Sequence, residues 1–190
     1  MLDIAIGHQL GAITHVVGDF QSVSATSTIR YPTSAIVGLD GKPTGETVTN
    51  KVPDHIAFSG ILSSRDPRSP TSGALINVVW RAGYKSTPGR QQFIWEIDGE
   101  EGSIRITEET VAAGFVHVKD PKVYLNGELV EVETGLHGNI GSAWSEFAKG
   151  AEGVYPTIED AVKLRRLLDA IQLSADTGKR VDLSTSVLKA

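Results

Sequence analysis

A long amphipathic segment near the C-terminus limits what this chain can fold into. Thr157 and Asp160 form a capping-box start, and Gly178 provides a stop. Between them, apolar residues recur at the spacing of one helical face; they are Ile158, Ala161, Val162, Leu164, Leu168 and Ile171. Such a helix needs a surface to cover, so the rest of the chain must supply a partner layer.

A second apolar helical face opens the chain. It consists of Leu2, Ile6, Leu10, Ile13 and Val17, and Gly18 with Asp19 ends it. No Ser, Thr, Asp or Asn precedes the periodic residues to cap the helix. We therefore expect that the given sequence starts inside this helix or just before it. The stretch lacks a basic start and is too polar for a signal peptide or a membrane span, which predicts a core helix.

Alternating apolar and polar residues predict several short strands between these helices. Asn126-Gly127 is the strongest two-residue hairpin signal, and residues 38–45 and 65–73 are predicted as loops. A short amphipathic helix is expected from Asn139, with Trp144, Phe147 and Ala148. The predicted strands are residues 20–31, 54–63, 74–82, 92–97, 103–107, 116–118, 122–125 and 128–133.

One helix before the strands and two after them predict an α+β fold. We expect residues 1–190 to form a single domain, with a largely antiparallel, mixed β-sheet and helices packed on one face. The other face stays available for oligomerisation, as a homodimer, because two apolar sets alternate along the strands. These sets are Ile76, Val78 and Trp80, and Phe93, Trp95 and Ile97.

Composition excludes several classes of function. The 190 residues carry 18 basic and 23 acidic side chains, a net charge of -5, without the basic patch of a nucleic-acid binder. Cysteine is absent, which excludes disulfides, thiolate catalysis and cysteine-ligated metals. The charge composition and the absence of cysteine predict a cytoplasmic protein that binds neither nucleic acid nor membranes.

Three segments carry a resemblance to a known family. They are Ile97-Asp-Gly-Glu-Glu-Gly-Ser-Ile-Arg-Ile106, residues 155–181, and the opening Met1-Leu-Asp-Ile-Ala-Ile-Gly-His-Gln-Leu10 with Val17-Gly-Asp-Phe20. Together with the order of elements, they resemble the C-terminal domain of the Gfo/Idh/MocA oxidoreductases, which include glucose-fructose oxidoreductase and inositol dehydrogenase. The opening is most similar to the fungal branch that contains the yeast galactose repressor.

The resemblance implies a division of labour. In that family an N-terminal Rossmann domain binds NAD or NADP, while the C-terminal domain forms the substrate wall and the oligomer interface. This sequence contains no strand followed by a Gly-x-Gly-x-x-Gly turn, so we expect no cofactor-binding residues and no dehydrogenase activity in the chain alone.

His8 is the candidate catalytic residue. The resemblance places it at the histidine of an Asp-x-x-x-His pair that faces the substrate, where it acts as acid or base. Here Ile4 occupies the acid's place, and Asp3 lies about 140° round the helix from His8. The alternative is a partly buried packing histidine. The flanking Gly7 and Gly11 indicate space kept for a ligand or for close packing.

The remaining candidates are weaker. His15 shares a face with His8, but two ligands without a third do not make a metal site, so we predict wall-lining or packing and no metal. Aromatic and basic residues on the strands and the loop after them could bind a sugar, or serve core and interface packing. These candidate substrate-binding residues are Trp80, Arg81, Tyr84, Lys85 and Trp95.

Three functions stay open at this point. The first is the substrate-binding and oligomerisation domain of an NAD(P)-dependent sugar or polyol oxidoreductase-like protein, truncated relative to the full enzyme. The second is a non-catalytic regulator resembling the galactose repressor, which the displaced Asp3 favours. The third is a cofactor-free lyase, isomerase or cyclase that uses His8 as acid or base.

Overall fold

The computed structural model describes residues 2–63, 73–83, 87–114, 118–132 and 138–183. The chain divides into two compact units, one formed by residues 1–84 with 161–190 and the other by residues 85–160.

Helices and antiparallel sheets make up the described chain, so the α+β prediction is confirmed. A short π-helical turn, Leu2–Ile6, leads into the first helix, and 3₁₀ turns cover Val111–Gly114 and Gly150–Glu152. The helices are α1 (Gly7–Val17), α2 (Gly138–Ala148) and α3 (Ile158–Thr177). The strands are β1 (Phe20–Thr28), β2 (Thr33–Val37), β3 (Pro43–Thr49), β4 (His55–Leu62), β5 (Leu75–Arg81), β6 (Phe93–Gly99), β7 (Gly102–Glu108), β8 (Lys122–Leu125), β9 (Glu128–Val130) and β10 (Val181–Asp182).

The first unit is built on a four-stranded antiparallel sheet in the order β10-β1-β4-β5. Burial alternates strictly along β4, so one face of the sheet enters the core and the other does not. α1 and α3 contribute apolar side chains to that core. The buried cluster consists of Ile6, Leu10, Phe20, Val23, Ile56, Phe58, Leu62, Leu167, Leu168, Ala170 and Ile171.

Two glycines allow α1 to approach α3 closely. A Cβ atom added at Gly7 would lie 3.4 Å from Leu168 Cδ1, and one added at Gly11 would lie 3.6 Å from Leu164 Cδ2. Side chains larger than alanine would therefore push the helices apart. Of the two sequence-based interpretations of these glycines, the geometry supports close packing rather than space for a ligand beside His8.

Ser174 joins three parts of the first unit. Its buried hydroxyl donates a hydrogen bond of 2.6 Å to the carbonyl oxygen of Lys179, and it accepts one of 2.8 Å from the amide of Ala25. The serine therefore connects α3, β1 and the turn after α3. Both backbone groups depend on this one side chain.

We expect Ser174→Ala to lower the free energy of unfolding by about 1–3 kcal/mol, because it leaves a partly buried amide and a carbonyl without a partner. Chemical denaturation followed by circular dichroism measures the change. Ser145→Ala is the matched control, since its hydroxyl donates to the Gly141 carbonyl oxygen in full exposure. Equal losses in the two variants would contradict the bridging role.

The second unit contains another four-stranded antiparallel sheet, in the order β6-β7-β8-β9. Asn126 and Gly127 join β8 to β9 with φ angles of 52° and 85°, which confirms the predicted tight hairpin. The strand register places two different sets of side chains on the two faces. One face is mainly apolar, with Glu108 and Glu128 among its members, and the other is largely polar.

The structure corrects three sequence-based expectations. The strands form three sheets instead of one, and the loop predicted at 38–45 is the tip and end of a hairpin, β2-β3. Every residue of that hairpin's strands is exposed, so no burial pattern marked it in the sequence. Ile76, Val78 and Trp80 pack against the core of the first unit, so this set does not form an open face.

The local predictions at the C-terminal helix are confirmed. α3 begins after Thr157, whose amide and hydroxyl donate to Asp160 Oδ2 at 2.8 Å, while the Asp160 amide donates back to the Thr157 hydroxyl. Gly178 ends the helix with a φ of 67°. Most of the loop predicted at 65–73 and most of the strand at 116–118 lie outside the described residues.

Candidate functional site

His8 and His15 lie on the exposed side of α1. Both side chains are exposed, and within the described chain neither makes a hydrogen bond or an ion pair. The partly buried packing that was the alternative for His8 is therefore wrong. The structure leaves the imidazole open to solvent, and its catalytic role stays a prediction.

Asp3 is engaged elsewhere. Its carboxylate accepts a hydrogen bond of 2.7 Å from Arg165 on α3. The Asp169 carboxylate, which also pairs with this guanidinium, and then Asp3 raise the pKa of Arg165 above its ordinary value. Asp3 thus connects the start of the chain to α3, and it does not substitute for the missing acid partner of His8.

The other predicted substrate-binding residues belong to different strands and to both units. Trp80 lies on the helix-facing side of β5 and packs against the core, whereas Arg81 is exposed on the opposite side of the strand. Trp95 belongs to β6 in the second unit and is half-buried. Tyr84 and Lys85 lie outside the described residues.

A cluster that the sequence analysis missed surrounds Asp54. Its carboxylate accepts hydrogen bonds from the amides of Arg30 at 2.8 Å and Tyr31 at 2.7 Å, and from His55 Nδ1 at 2.7 Å. The side chains of Asp54 and His55 are 16% and 24% exposed. An acid next to a histidine at the start of a strand was the available signal, but its partners lie more than twenty residues earlier.

The neighbouring chain holds this cluster in place. The Tyr31 ring lies 6.0 Å from the imidazole of His55, and a Cβ atom at Gly83 would lie 2.6 Å from a carbon of that ring. Gly83 also has a φ of 82°, which an L side chain rarely adopts. Asn50 donates to the Tyr31 carbonyl oxygen at 2.7 Å and to the Ser34 hydroxyl at 2.8 Å.

The hydrogen bonds determine the charge state of Asp54. Partial desolvation acts to raise its pKa, but the amide of Arg30, the side chain of His55 and the amide of Tyr31 together lower the pKa of Asp54 below its ordinary value. The folded protein therefore favours the charged carboxylate. This contribution to stability is present above the ordinary aspartate pKa and disappears as the pH falls through the folded-state value.

We expect Asp54→Asn to melt at a lower temperature than the wild type at neutral pH, because the negative charge is lost and the NH₂ group that replaces one carboxylate oxygen cannot accept the hydrogen bonds made to that oxygen. The difference should shrink as the pH falls below about 4, where the wild type loses the same contribution. Melting curves from pH 3 to 7, followed by circular dichroism, measure it. A constant difference across that range would contradict the assignment.

A shallow cavity of about 460 Å³ lies on the polar face of the second sheet. Glu96, Arg105 and Tyr124 form one row across three strands, and Arg105 Nε lies 3.5 Å from Glu96 Oε1 in an exposed pair. The remaining lining residues are Gln91, Asp98, Ser103, Ile104, Thr107 and Gly127. Mixed charges in solvent give this surface no preference for one kind of ligand.

The described part of the chain holds neither a metal-binding cluster nor a membrane-spanning helix. No group of three or more His, Asp or Glu side chains there is placed to hold a metal ion. None of the described helices is long and apolar enough to cross a membrane.

The geometry defines an α+β domain with antiparallel sheets and exposed candidate residues. Its fold matches that of a Gal80p super-repressor mutant from Saccharomyces cerevisiae, with a TM-score of 0.73 at 19% identity, over 97% of this chain and 50% of that one. It also matches levoglucosan dehydrogenase, with a TM-score of 0.60 at 22% identity, over 93% of this chain and 49% of that one. Solved regulators and oxidoreductases thus share this architecture.

The chain belongs to the family of Gal80p C-terminal domains, whose model matches residues 1–108. It is 26% identical over 128 residues to the galactose/lactose metabolism regulatory protein GAL80 of Kluyveromyces lactis, covering 67% of this chain and 26% of that protein. It is 25% identical over 186 residues to the dehydrogenase aclE of Aspergillus oryzae, covering 94% of this chain and 47% of that protein. The resemblance to the Gfo/Idh/MocA C-terminal domain is confirmed.

These matches cover only part of each relative. The chain spans about a quarter of the regulatory protein and about half of the dehydrogenase. The relatives' names therefore describe proteins longer than the region that this chain matches.

Proposed function

We propose that this chain is the ligand-binding and self-association domain of an oxidoreductase-like protein, and that alone it is not a dehydrogenase. The observation that carries the proposal is the apolar face of the second sheet. Eight apolar side chains share that face by strand register, and none of them is buried. They are Phe93, Trp95, Ile97, Ile104, Ile106, Val123, Leu125 and Val130.

The exposure of this face supports association. Three of its members, Ile104, Leu125 and Val130, are 39%, 50% and 40% exposed. Contiguous apolar surface on a monomer marks an interaction site when it exceeds a few hundred Å². In a two-fold dimer the same surface of each copy forms the interface. Contact between two copies through this face would therefore bury the apolar side chains of both. We therefore assign the homodimer contact to this face.

We expect the wild-type chain to sediment as a dimer and Ile97→Lys to sediment as a monomer. The ammonium group would enter an apolar interface without a partner, which costs several kcal/mol per buried ion. The matched control is Ile94→Lys, because Ile94 lies on the same strand, three residues away, and points to the polar face. Sedimentation velocity over a wide concentration range measures both. A monomeric wild type, or equal disruption by Ile94→Lys, would refute the assignment.

α1 is the element that we assign to the ligand-binding part of the function. His8 and His15 present two solvent-facing imidazoles on one helix. The support comes from the resemblance, which places His8 on the substrate side, and from the match to a dehydrogenase over 94% of this chain. Hydride transfer would additionally need a nicotinamide held close to the donor carbon.

We expect the purified chain to show no saturable binding of NADH or NADPH at micromolar concentrations. A dinucleotide site needs a glycine-rich turn that brings the pyrophosphate to a helix N-terminus, and this sequence contains no such strand-turn-helix motif. Titration followed by nicotinamide fluorescence measures binding, with a full-length oxidoreductase of the same fold as positive control. Saturation by either nucleotide would end this part of the proposal.

A second candidate function is a non-catalytic regulator. The matching family model is that of a Gal80p domain, and a matched relative is named as a regulatory protein of galactose and lactose metabolism. The engagement of Asp3 with Arg165 favours the same candidate, because it leaves His8 without a carboxylate partner within the described chain. In a regulator, the apolar face of the second sheet would serve partner recognition.

A further inference from the structure

Strand β5 is the last strand of the first sheet. In the order β10-β1-β4-β5, no described strand lies on its far side. The Leu62 amide donates to the Ala74 carbonyl oxygen at 3.0 Å, and at the other end the Ala82 amide donates to the Asp54 carbonyl oxygen at 2.9 Å. Hydrogen-bonded pairs alternate along an antiparallel ladder. Even-numbered residues of β5 therefore turn their backbone groups toward β4, and odd-numbered residues turn theirs toward the open edge.

The open edge of β5 lacks the features that usually protect an edge strand. The described chain supplies no hydrogen bond to the outward backbone groups of Leu75, Asn77 and Val79. The side chains of Leu75 and Val79 are 67% and 66% exposed. The seven residues of β5 include no proline, no lysine and no bulge, and Arg81, the one charged residue, comes last. Such an edge is a template for another strand.

The sequence of β5 is complementary to itself. When two copies run antiparallel with Asn77 opposite Asn77, Leu75 of each copy lies opposite Val79 of the other. Apolar side chains then meet apolar side chains, and two amide groups meet that can each donate and accept. The two Arg81 residues lie at opposite ends, roughly 26 Å apart at about 3.3 Å per residue, so like charges do not meet. A two-fold contact, which uses the same edge in both copies, fits this register.

We propose that β5 is a second self-association site, at which the β5 strands of two copies pair antiparallel about Asn77. Each outward residue exchanges both of its backbone hydrogen bonds with the other strand. On the helix-facing side, the half-buried Ile76 of one copy lies opposite Val78 of the other, which extends the apolar layer. The site belongs to the first unit and the association face assigned above to the second, so this proposal goes beyond that function and does not rest on it.

The contact involves one strand edge of each copy, so we expect a Kd on the order of hundreds of micromolar. At the lower concentrations of a sedimentation experiment, the face of the second unit dominates association. The test therefore uses the isotope-labelled Ile97→Lys chain at up to about 1 mM and follows the backbone amides by NMR. The β5 amides report the β5 edge alone, so the result does not depend on whether the face contact forms.

Opposite charges at Asn77 test the register. Asn77→Asp and Asn77→Lys, each added to the Ile97→Lys chain, change an exposed side chain and leave the ladder to β4 intact. Each variant alone brings like charges together, so the Kd from the concentration-dependent shifts of Leu75 and Val79 should rise by about threefold or more. At low ionic strength an equimolar mixture brings a carboxylate opposite an ammonium group, and it should associate at least as tightly as the chain with Asn77.

Ser24 provides the matched control. It is the Cα partner of Ser59, which is the Cα partner of Asn77, so the three side chains form one row on the face that points away from the helices. Ser24 is exposed, but it lies two strands away from the open edge. Ser24→Asp and Ser24→Lys, alone or mixed, should therefore leave the Kd unchanged. The amides of β9, an outer strand of the second sheet, serve as a reference and should not shift with concentration.

Three results would overturn the proposal. If the β5 amides do not shift with concentration up to about 1 mM, the two strands do not pair. If the mixture of Asn77→Asp and Asn77→Lys associates no more tightly than either variant alone, Asn77 does not face its counterpart. If β9 shifts as much as β5, or if the Ser24 variants have the same effect, the association is unspecific or uses the face of the sheet instead of its edge.

Discussion

The first unit depends on burying one side of a four-stranded sheet beneath two helices. α1 reaches α3 because Gly7 and Gly11 place no side chain between them, and α3 reaches β1 through the hydroxyl of Ser174. The apolar side chains on the helix-facing side of β4 and β5 are packed into this core. Whatever the unit binds must therefore be bound by residues that point away from the core, as His8, His55 and Arg81 do.

Each of the two four-stranded sheets leaves one face without buried side chains of its own core. The helix-free face of the first sheet carries small or polar residues on β1, such as Ser24 and Thr26, and a rigid imidazole at one end. The second sheet leaves a face of eight apolar side chains without a buried member. Leu75 and Val79 on β5 are exposed on the helix-free face of the first sheet, so both sheets leave apolar side chains in contact with solvent.

The sequence predicted the helix ends and the tight turn that depend on residues close together in the chain. The cap at Thr157, the stop at Gly178 and the turn at Asn126 follow from residues within a few positions of each other. The alternation along β4 predicted the strand, and burial along it follows the pleat. The family resemblance then supplied the candidate role of His8.

The sequence did not predict features that depend on long-range pairing or that are exposed throughout. The partners of Asp54 include amides 23 and 24 residues earlier in the chain, and no spacing rule connects them. The β2-β3 hairpin has exposed residues throughout and glycines at its tip, so its sequence resembles a loop. Gly7 and Gly11 were ambiguous because their meaning depends on Leu164 and Leu168, more than 150 positions away.

The β2-β3 hairpin is held at its base and carries an apolar residue at its tip. Asp54 and Asn50 fix the chain at its base through Tyr31 and Ser34, while Leu39 at the tip is fully exposed. A five-residue strand spans roughly 17 Å, so a rotation of about 10° at the base displaces the tip by about 3 Å. A change in the contacts at the base would therefore be felt most at the exposed Leu39 side chain.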